Sequence, residues 1–455
     1  MQPNGSQQRG TVPQWQYILT LFLALVVPPL NYLARSQKWT PSIWPYEQDK
    51  PLTVVVTYAL GICGVLILLW RHEKPVPATL RFAPGILNRR TASVIAVVLF
   101  IWLASKWHFQ HMERHGDGRS WIGFASQPYV FAGEAGGRWA HYFWYRLLES
   151  WPSPEKLALR WNSISAGAIC LLGLLLLARD AFRQTPASRS IVFLFFFPLL
   201  TLYVGYAETT PLAYAFSTIY LLAGLCYLSQ PIRRPPWWES VILSLALFMH
   251  GIVCFITAAH LYLVICWAVS VGRHSLRNPG KSAALLFNLA WPFAPLLLSI
   301  IYAKLTLPAD RWYCNMLGGP NHSMWIPWSD PLANKAYYAY TSLRFWQDTG
   351  NWVLNYFPLL PLLPLALDHC RRVLPRETTF LFFAFWGLLL FTFSWDAALG
   401  YYLDRDLMSL VIVPGHMVIL LWLSLGFQAR SRDAIIFGYA VSNFAFQVIP
   451  YVRFP

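Results

Sequence analysis

Apolar residues in this chain come in continuous runs, not in the alternation of a half-buried strand or the single stripe of a surface helix. Three runs open the sequence, Trp15–Leu33, Leu52–Trp70 and Ala92–Trp107. Ten more follow: Leu157–Ala178, Ile191–Tyr206, Pro211–Leu228, Trp238–His250, Ile252–Val271, Ala283–Ala303, Trp352–Leu367, Phe380–Trp395, Leu407–Phe427 and Ile435–Tyr451. Most come near the roughly 20 residues with which a helix crosses a bilayer core. The pattern predicts an all-α polytopic membrane protein with about thirteen transmembrane helices. Trp238–His250 is the short one. It reads either as a broken helix ending in a cavity or as the first half of one tilted helix over 238–271; the broken helix suits the later loops better. The first run has no small-residue cleavage site behind it and is expected to stay as a span.

One stretch between runs keeps a different period. Trp139, Phe143, Arg146 and Leu147 follow i, i+4, i+7, i+8 spacing within Arg138–Trp151. This predicts an amphipathic helix lying in the membrane interface, stopped by Pro152 and Pro154.

Charge then orients the runs. Arg71, Lys74, Arg81, Arg89 and Arg90 make the first strongly basic loop, which the positive-inside rule puts in the cytoplasm together with the N-terminus. Alternation brings Arg179, Arg183 and Arg189, then Arg233-Arg234, then Arg273, Arg277 and Lys281, then Arg371, Arg372 and Arg376, then Arg430 and Arg432 to that same side. The loops 108–156, 304–350 and 396–406 fall on the other side. Two units follow. Residues 1–91 hold two N-terminal transmembrane helices and the basic cytoplasmic loop, and residues 92–455 hold the remaining helices with the three outer loops.

The composition agrees. Hydrophobic residues make up 56% and charged residues 12%, against about 25% charged in a soluble domain. The 23 tryptophans and 23 tyrosines suit long membrane–water interfaces. The net charge of +15 is accounted for by the inner loops, and with no basic domain outside the runs, nucleic acid is not an expected partner. Five of the seven cysteines lie inside apolar runs, and no CxxC or Cys/His spacing points to zinc or redox chemistry.

Asp117, Glu134, Glu208, His250, Asp310, His322, Asp330, Asp396, Asp404 and Asp406 all fall on or near the outer face. Asp117 sits in His115-Gly116-Asp117-Gly118-Arg119, where two glycines leave room for close approach to an ionised carboxylate; Asp-Gly is also a common turn pair. Glu208 occupies a turn too short to carry it far from the membrane, where it could serve function or favour the helix that starts at Pro211. His250 ends the short run and could bond a substrate hydroxyl or phosphate, or be structural. Asp404-Arg405-Asp406 offers two carboxylates at i, i+2 for a divalent metal, an arginine for phosphate, or acids at a helix N-terminus. Pro320–Trp325 with His322, Asp330 and Asn334 reads as a lid or as an ordinary surface loop.

Taken together the chain resembles the GT-C superfamily of integral-membrane glycosyltransferases, over about residues 92–430. The resemblance rests on His115-Gly116-Asp117-Gly118, on the interfacial stretch that follows, on the Gly-Tyr-x-Glu turn at 205–208, on His250, on Asn321-His322-Ser323 and on Asp404-Arg405-Asp406. The chain differs in carrying two spans ahead of the catalytic-type span, and a lone Asp117 in place of an Asp-Glu pair. The resemblance implies a GT-C-like bundle that transfers a sugar with inversion from a polyprenyl-phosphate donor to a hydroxyl of a lipid-linked, glycan or protein acceptor. Asp117 would be the base. Arg119, Glu208, His250, His322, Asp404, Arg405 and Asp406 would contact substrate, with Arg119, Arg405 or His250 neutralising the departing phosphate. No cofactor is expected beyond a possible divalent metal at Asp404 and Asp406. Membrane lipids are the surroundings, and the expected location is a bacterial inner membrane with a periplasmic site. A lipid or glycan transporter and a non-catalytic assembly protein are the alternatives.

Overall fold

The computed structural model describes residues 12–30, 51–71, 89–106, 108–109, 118–127, 133–196, 198, 200–206, 208–272, 277–306, 325–329, 338–395, 405–449 and 452–453. In chain order these form α1 (Gln14–Leu25), α2 (Pro51–Arg71), α3 (Arg89–Lys106), β1 (His108–Phe109), α4 (Gly118–Phe124), α5 (Ala135–Leu148), α6 (Pro154–Ala181), α7 (Ala187–Phe195), α8 (Pro211–Leu228) and α9 (Trp237–Met249). There follow α10 (Thr257–Val271), α11 (Pro279–Ala290), α12 (Ala294–Thr306), α13 (Leu343–Tyr356), α14 (Leu363–Val373), α15 (Pro375–Ser394), α16 (Arg405–Met408), α17 (Ile412–Gly426), α18 (Ala429–Asn443) and β2 (Val452–Arg453). Among the described residues the regular structure is helical apart from the two-residue pairing of β1 with β2 and an isolated bridge between Trp325 and Trp395.

Prolines open α6, α8, α11 and α15 within the first turn, where the missing N–H costs nothing. Asn278 and Ser342 cap the helices that follow them through Gly280 N–H and Phe345 N–H. Five helical stretches are long and apolar enough to cross a membrane: Pro154–Ala181, Pro211–Leu228, Gly251–Val271, Pro279–Thr306 and Pro375–Ser394. The bent pair Leu343–Tyr356 and Leu360–Val373 makes up to six. Gln14–Leu30, Thr53–Cys63, Thr91–Lys106, Trp237–Met249 and Ile412–Gly426 are shorter apolar helices. Large apolar side chains stay exposed on α3 (Val94, Val98, Trp102), α10 (Leu261, Ile265, Val269) and α12 (Leu297, Leu298, Ile301, Leu305). Soluble monomers seldom leave such faces open, whereas lipid covers them.

The core is built on α6 against α8. Gly173 lies so close to Ile219 that no Cβ fits, and Gly224 stands in the same way against Phe380 of α15. Small residues at crossings let helix backbones approach, as in membrane bundles generally.

Two expected runs are interrupted, and the break expected after Trp238–His250 is present. Ile191–Tyr206 stops as a helix at Phe195 and resumes as a 3-10 turn over Leu200–Tyr203, with Pro198 between. The run Trp352–Leu367 is not one rod: its two helices meet at 87°, at a point crowded with Pro358, Pro361 and Pro364. The stretch 238–271 is two elements. Helix α9 ends at Met249, His250 is extended (φ −158°, ψ 130°), and a 3-10 turn over Gly251–Ile256 leads into α10.

Long-range contacts sort the helix termini into two ends. At one, β2 pairs with β1 just past α3, and Arg160 near the start of α6 donates to the Ser105 carbonyl at 2.7 Å. Trp352 donates to Ser409 Oγ, Thr392 to the Met408 carbonyl, and Gln447 to the Asn355 carbonyl. Phe255 and Phe391 pack there at 5.0 Å between ring centres. At the other end the Val12 N–H meets the Gly426 carbonyl, Thr185 bonds Ser424, Arg432 donates to the Gln184 carbonyl and Arg189 pairs with Asp433. This second end also carries Arg179, Arg183, Arg233, Arg234, Arg371, Arg372, Arg376 and Arg430.

Candidate functional site

The site is built around the first half of α5. Its outer face is apolar and exposed, with Phe143 and Leu147 each about three-fifths accessible, as the period of this stretch predicts. The opposite stripe, Glu134, Arg138 and His141 at i, i+4, i+7, turns into the protein, with Arg138 and His141 buried. Gly136 and Gly137 bring the helix down onto its neighbours. A Cβ at Gly137 would stand 2.9 Å from the Thr209 carbonyl, and one at Gly136 would stand 2.7 Å from that of Phe248. The start of α5 is thereby pressed into the notch between the start of α8 and the break after α9.

Side chains tie this notch together. Glu134 Oε2 accepts the Thr209 hydroxyl at 2.6 Å. Glu134 Oε1 lies 3.5 Å from His250 Nε2. The Gly251 N–H donates to the Gly133 carbonyl at 2.5 Å, fastening the backbones of the same two segments. His250 Nδ1 accepts the Ile252 N–H at 3.2 Å, so in the neutral ring Nε2 carries the proton and faces the carboxylate. Burial by itself raises the Glu134 carboxyl. The neighbouring His250, the Thr209 hydroxyl and the Arg138 charge outweigh it and hold the group below its ordinary value, as the anion.

Two turns further on, His141 Nε2 donates to the Glu208 carbonyl at 3.1 Å. A carbonyl only accepts, so Nδ1 is the unprotonated nitrogen. Burial, then the neighbouring Arg138 charge, push the imidazole down to about 3. Arg138 itself is stacked, its guanidinium 4.9 Å from the Trp121 ring and 5.5 Å from the Phe124 ring, and it donates to the Phe124 carbonyl at 2.7 Å. That contact anchors α4, the helix beginning one residue after Asp117.

Glu208 and His250 therefore meet the same helix, the first through its backbone carbonyl, the second through its ring; Glu208 itself is buried. Asp117, His322 and Asp404 lie outside the described residues. Arg119 stands in the first turn of α4, and Arg405 and Asp406 open α16, which leads to Ser409 and its bond from Trp352. Among the described residues no group of three or more histidine, cysteine, aspartate or glutamate side chains is arranged to hold a metal. Glu134, Arg138, His141 and Thr209 were not among the predicted site residues. Two features of the sequence carry the first three: an acid set among glycines in Gly133-Glu134-Ala135-Gly136-Gly137, as Asp117 is, and the polar i, i+4, i+7 stripe opposite the aromatic one.

No family model, curated protein or solved structure matches this chain.

Proposed function

We propose that the protein is an integral-membrane glycosyltransferase of the GT-C kind. It moves a sugar from a polyprenyl-phosphate donor to an acceptor hydroxyl, at the end of the bundle that carries Glu134. In this reading the apolar runs make about thirteen crossings, the arginine-rich end is cytoplasmic by the positive-inside rule, and the Glu134 end faces the periplasm of a bacterial inner membrane. Asp117 takes the acceptor proton as that hydroxyl attacks the anomeric carbon, and the phosphate leaves on the opposite side. Cationic groups near the leaving oxygen, Arg119 and Arg405, stabilise the charge that develops there.

The observation that supports this most is the buried acid–imidazole cluster at one end of an all-helical membrane bundle. It is made by the amphipathic helix α5, which follows Asp117 after the short helix α4. A transporter would share the broken helices at His250 and between Tyr356 and Leu360, but it needs polar routes to both faces. The buried His416–Tyr439 pair deeper in the bundle instead closes on itself, at 2.7 Å.

The test is reconstitution in nanodiscs with polyprenyl-phosphate sugars and candidate acceptors. Asp117→Asn abolishes product formation while the protein still inserts and melts as the native chain does. Undiminished turnover in that variant removes Asp117 as the base. Lipid movement across vesicles without any glycosidic bond formed replaces the enzyme by a transporter.

A further inference from the structure

Glu134 and His250 present a donor and an acceptor that do not fully satisfy each other. Their 3.5 Å separation exceeds the ~2.7–3.2 Å of an ordinary N–H···O bond. Both groups are fixed from behind: Thr209 holds the other carboxylate oxygen, and the Ile252 N–H holds the other ring nitrogen. Neither can turn toward its partner without breaking a bond it already makes. The Gly133–Gly251 backbone bond and the closely packed Gly136 and Gly137 keep the two segments from shifting. The Glu134 side chain keeps about a quarter of its surface accessible, and His250 a tenth.

A hydroxyl is the group that completes such a pair, because it accepts from Nε2–H and donates to Oε1 in one position. An ammonium would satisfy the carboxylate alone, and a phosphate would be repelled by it. We infer that Glu134 and His250 form a subsite for a hydroxyl of the transferred sugar, with Thr209 as the residue that sets the carboxylate. This rests on the glycosyltransferase reading above and adds a recognition element to it. Glu134 is thereby a sugar-binding residue, distinct from Asp117, and its anionic state suits acceptance of a hydroxyl proton without taking it.

The experiment measures binding of three probes to the full-length protein in nanodiscs: undecaprenyl phosphate, undecaprenyl-phosphate mannose and undecaprenyl-phosphate glucose. The native chain is expected to bind at least one sugar-bearing probe more tightly than undecaprenyl phosphate. Glu134→Gln is expected to weaken that sugar-bearing probe by about 10–100-fold, the worth of a charged hydrogen bond, and to leave undecaprenyl phosphate unchanged. Thr209→Val, which frees the carboxylate without removing it, is expected to lose part of the same preference. Asp117→Asn should keep all three affinities while losing turnover. Equal weakening of all probes by Glu134→Gln makes the pair structural and overturns the subsite, as does an unchanged preference for the sugar. If the native chain binds none of the probes, the glycosyltransferase reading fails first and the subsite falls with it. Deoxy-sugar versions of the preferred probe then identify the hydroxyl: the analogue lacking it should bind the native chain and Glu134→Gln equally.

Discussion

The two ends of the bundle carry charge in opposite ways. At the arginine-rich end most of it is at the surface. Arg372 and Asp368, paired at 2.6 Å, keep 75% and 64% of their side-chain surfaces accessible. Exceptions there act as clasps: Arg234 grips the buried Glu239 at 2.9 Å, and Asp433 joins Arg189 and Arg432. The Glu134 end has an exposed pair of its own, Arg146 with Glu149 at 2.9 Å, but Glu134, Arg138 and His141 turn inward and bond Thr209, the Phe124 carbonyl and the Glu208 carbonyl. Solvated charge orients a membrane protein and tolerates change. Buried polar groups are costly unless satisfied, and a network of them persists only where structure or chemistry needs it. The difference marks the Glu134 end as the one to test.

The largest effect is expected at Arg138. Replacement by alanine removes the donor to the Phe124 carbonyl and the stack on Trp121 and Phe124. Charge-assisted bonds contribute about 1.5–3 kcal/mol and a desolvated cation–π contact up to about 2, so Arg138→Ala should lower stability by roughly 3 kcal/mol and loosen α4. Arg138→Lys should recover only part of this, since an ammonium lacks the planar fork. Thermal melting in detergent gives the ranking. An Arg138→Ala protein as stable as the native chain would erase the contrast between the ends.

That contrast was half legible in the sequence. Apolar runs and arginine-bearing loops were enough to divide the helix termini, because both follow from the cost of placing polar groups in lipid. The shortness of Trp238–His250 gave away the break at His250. The 87° bend between Tyr356 and Leu360 was not visible as hydrophobicity: an apolar run reads alike straight or folded, although Pro358, Pro361 and Pro364 were there to be read. For the site, Glu208 and His250 stood out as polar residues at span ends. His141 and Arg138 did not, because a polar stripe on an interfacial helix ordinarily faces water. Only the close approach allowed by Gly136 and Gly137 turns it inward.

A middle-sized effect concerns acid. His141 titrates near 6.5 when unfolded and at about 3 in the folded chain. Between those values the unfolded state binds the extra proton, so stability rises with pH there and is lost as pH falls from about 6.5 toward 3. Glu134, held below its ordinary value, adds a loss that starts lower, as pH falls past the unfolded carboxyl value of 4.5. His141→Gln keeps a donor for the Glu208 carbonyl but does not titrate. Melting at stepped pH should show the native chain weakening from about 6.5 downward, and His141→Gln weakening less steeply over the range between about 6.5 and 3. Other histidines contribute equally to both proteins and cancel in the difference. Identical acid profiles would mean that His141 is not the buried neutral imidazole described above.

The smallest effect belongs to the opposite end, and it is the control on which the contrast depends. Arg372 and Asp368 form a bidentate pair one helical turn apart, with distances of 2.6 and 3.3 Å, and by distance alone it rivals anything at Glu134. Exposure decides otherwise. Two long side chains lose rotamer freedom to meet in water, where the solvent screens what they gain, so such i, i+4 pairs contribute about 0.3–0.5 kcal/mol. Asp368→Asn should therefore move the melting temperature by less than the spread between preparations, and added salt should remove even that. A loss comparable to that of Arg138→Ala would mean that Asp368 is engaged by something beyond Arg372. Exposure would then no longer separate Asp368 from the charges that the fold holds.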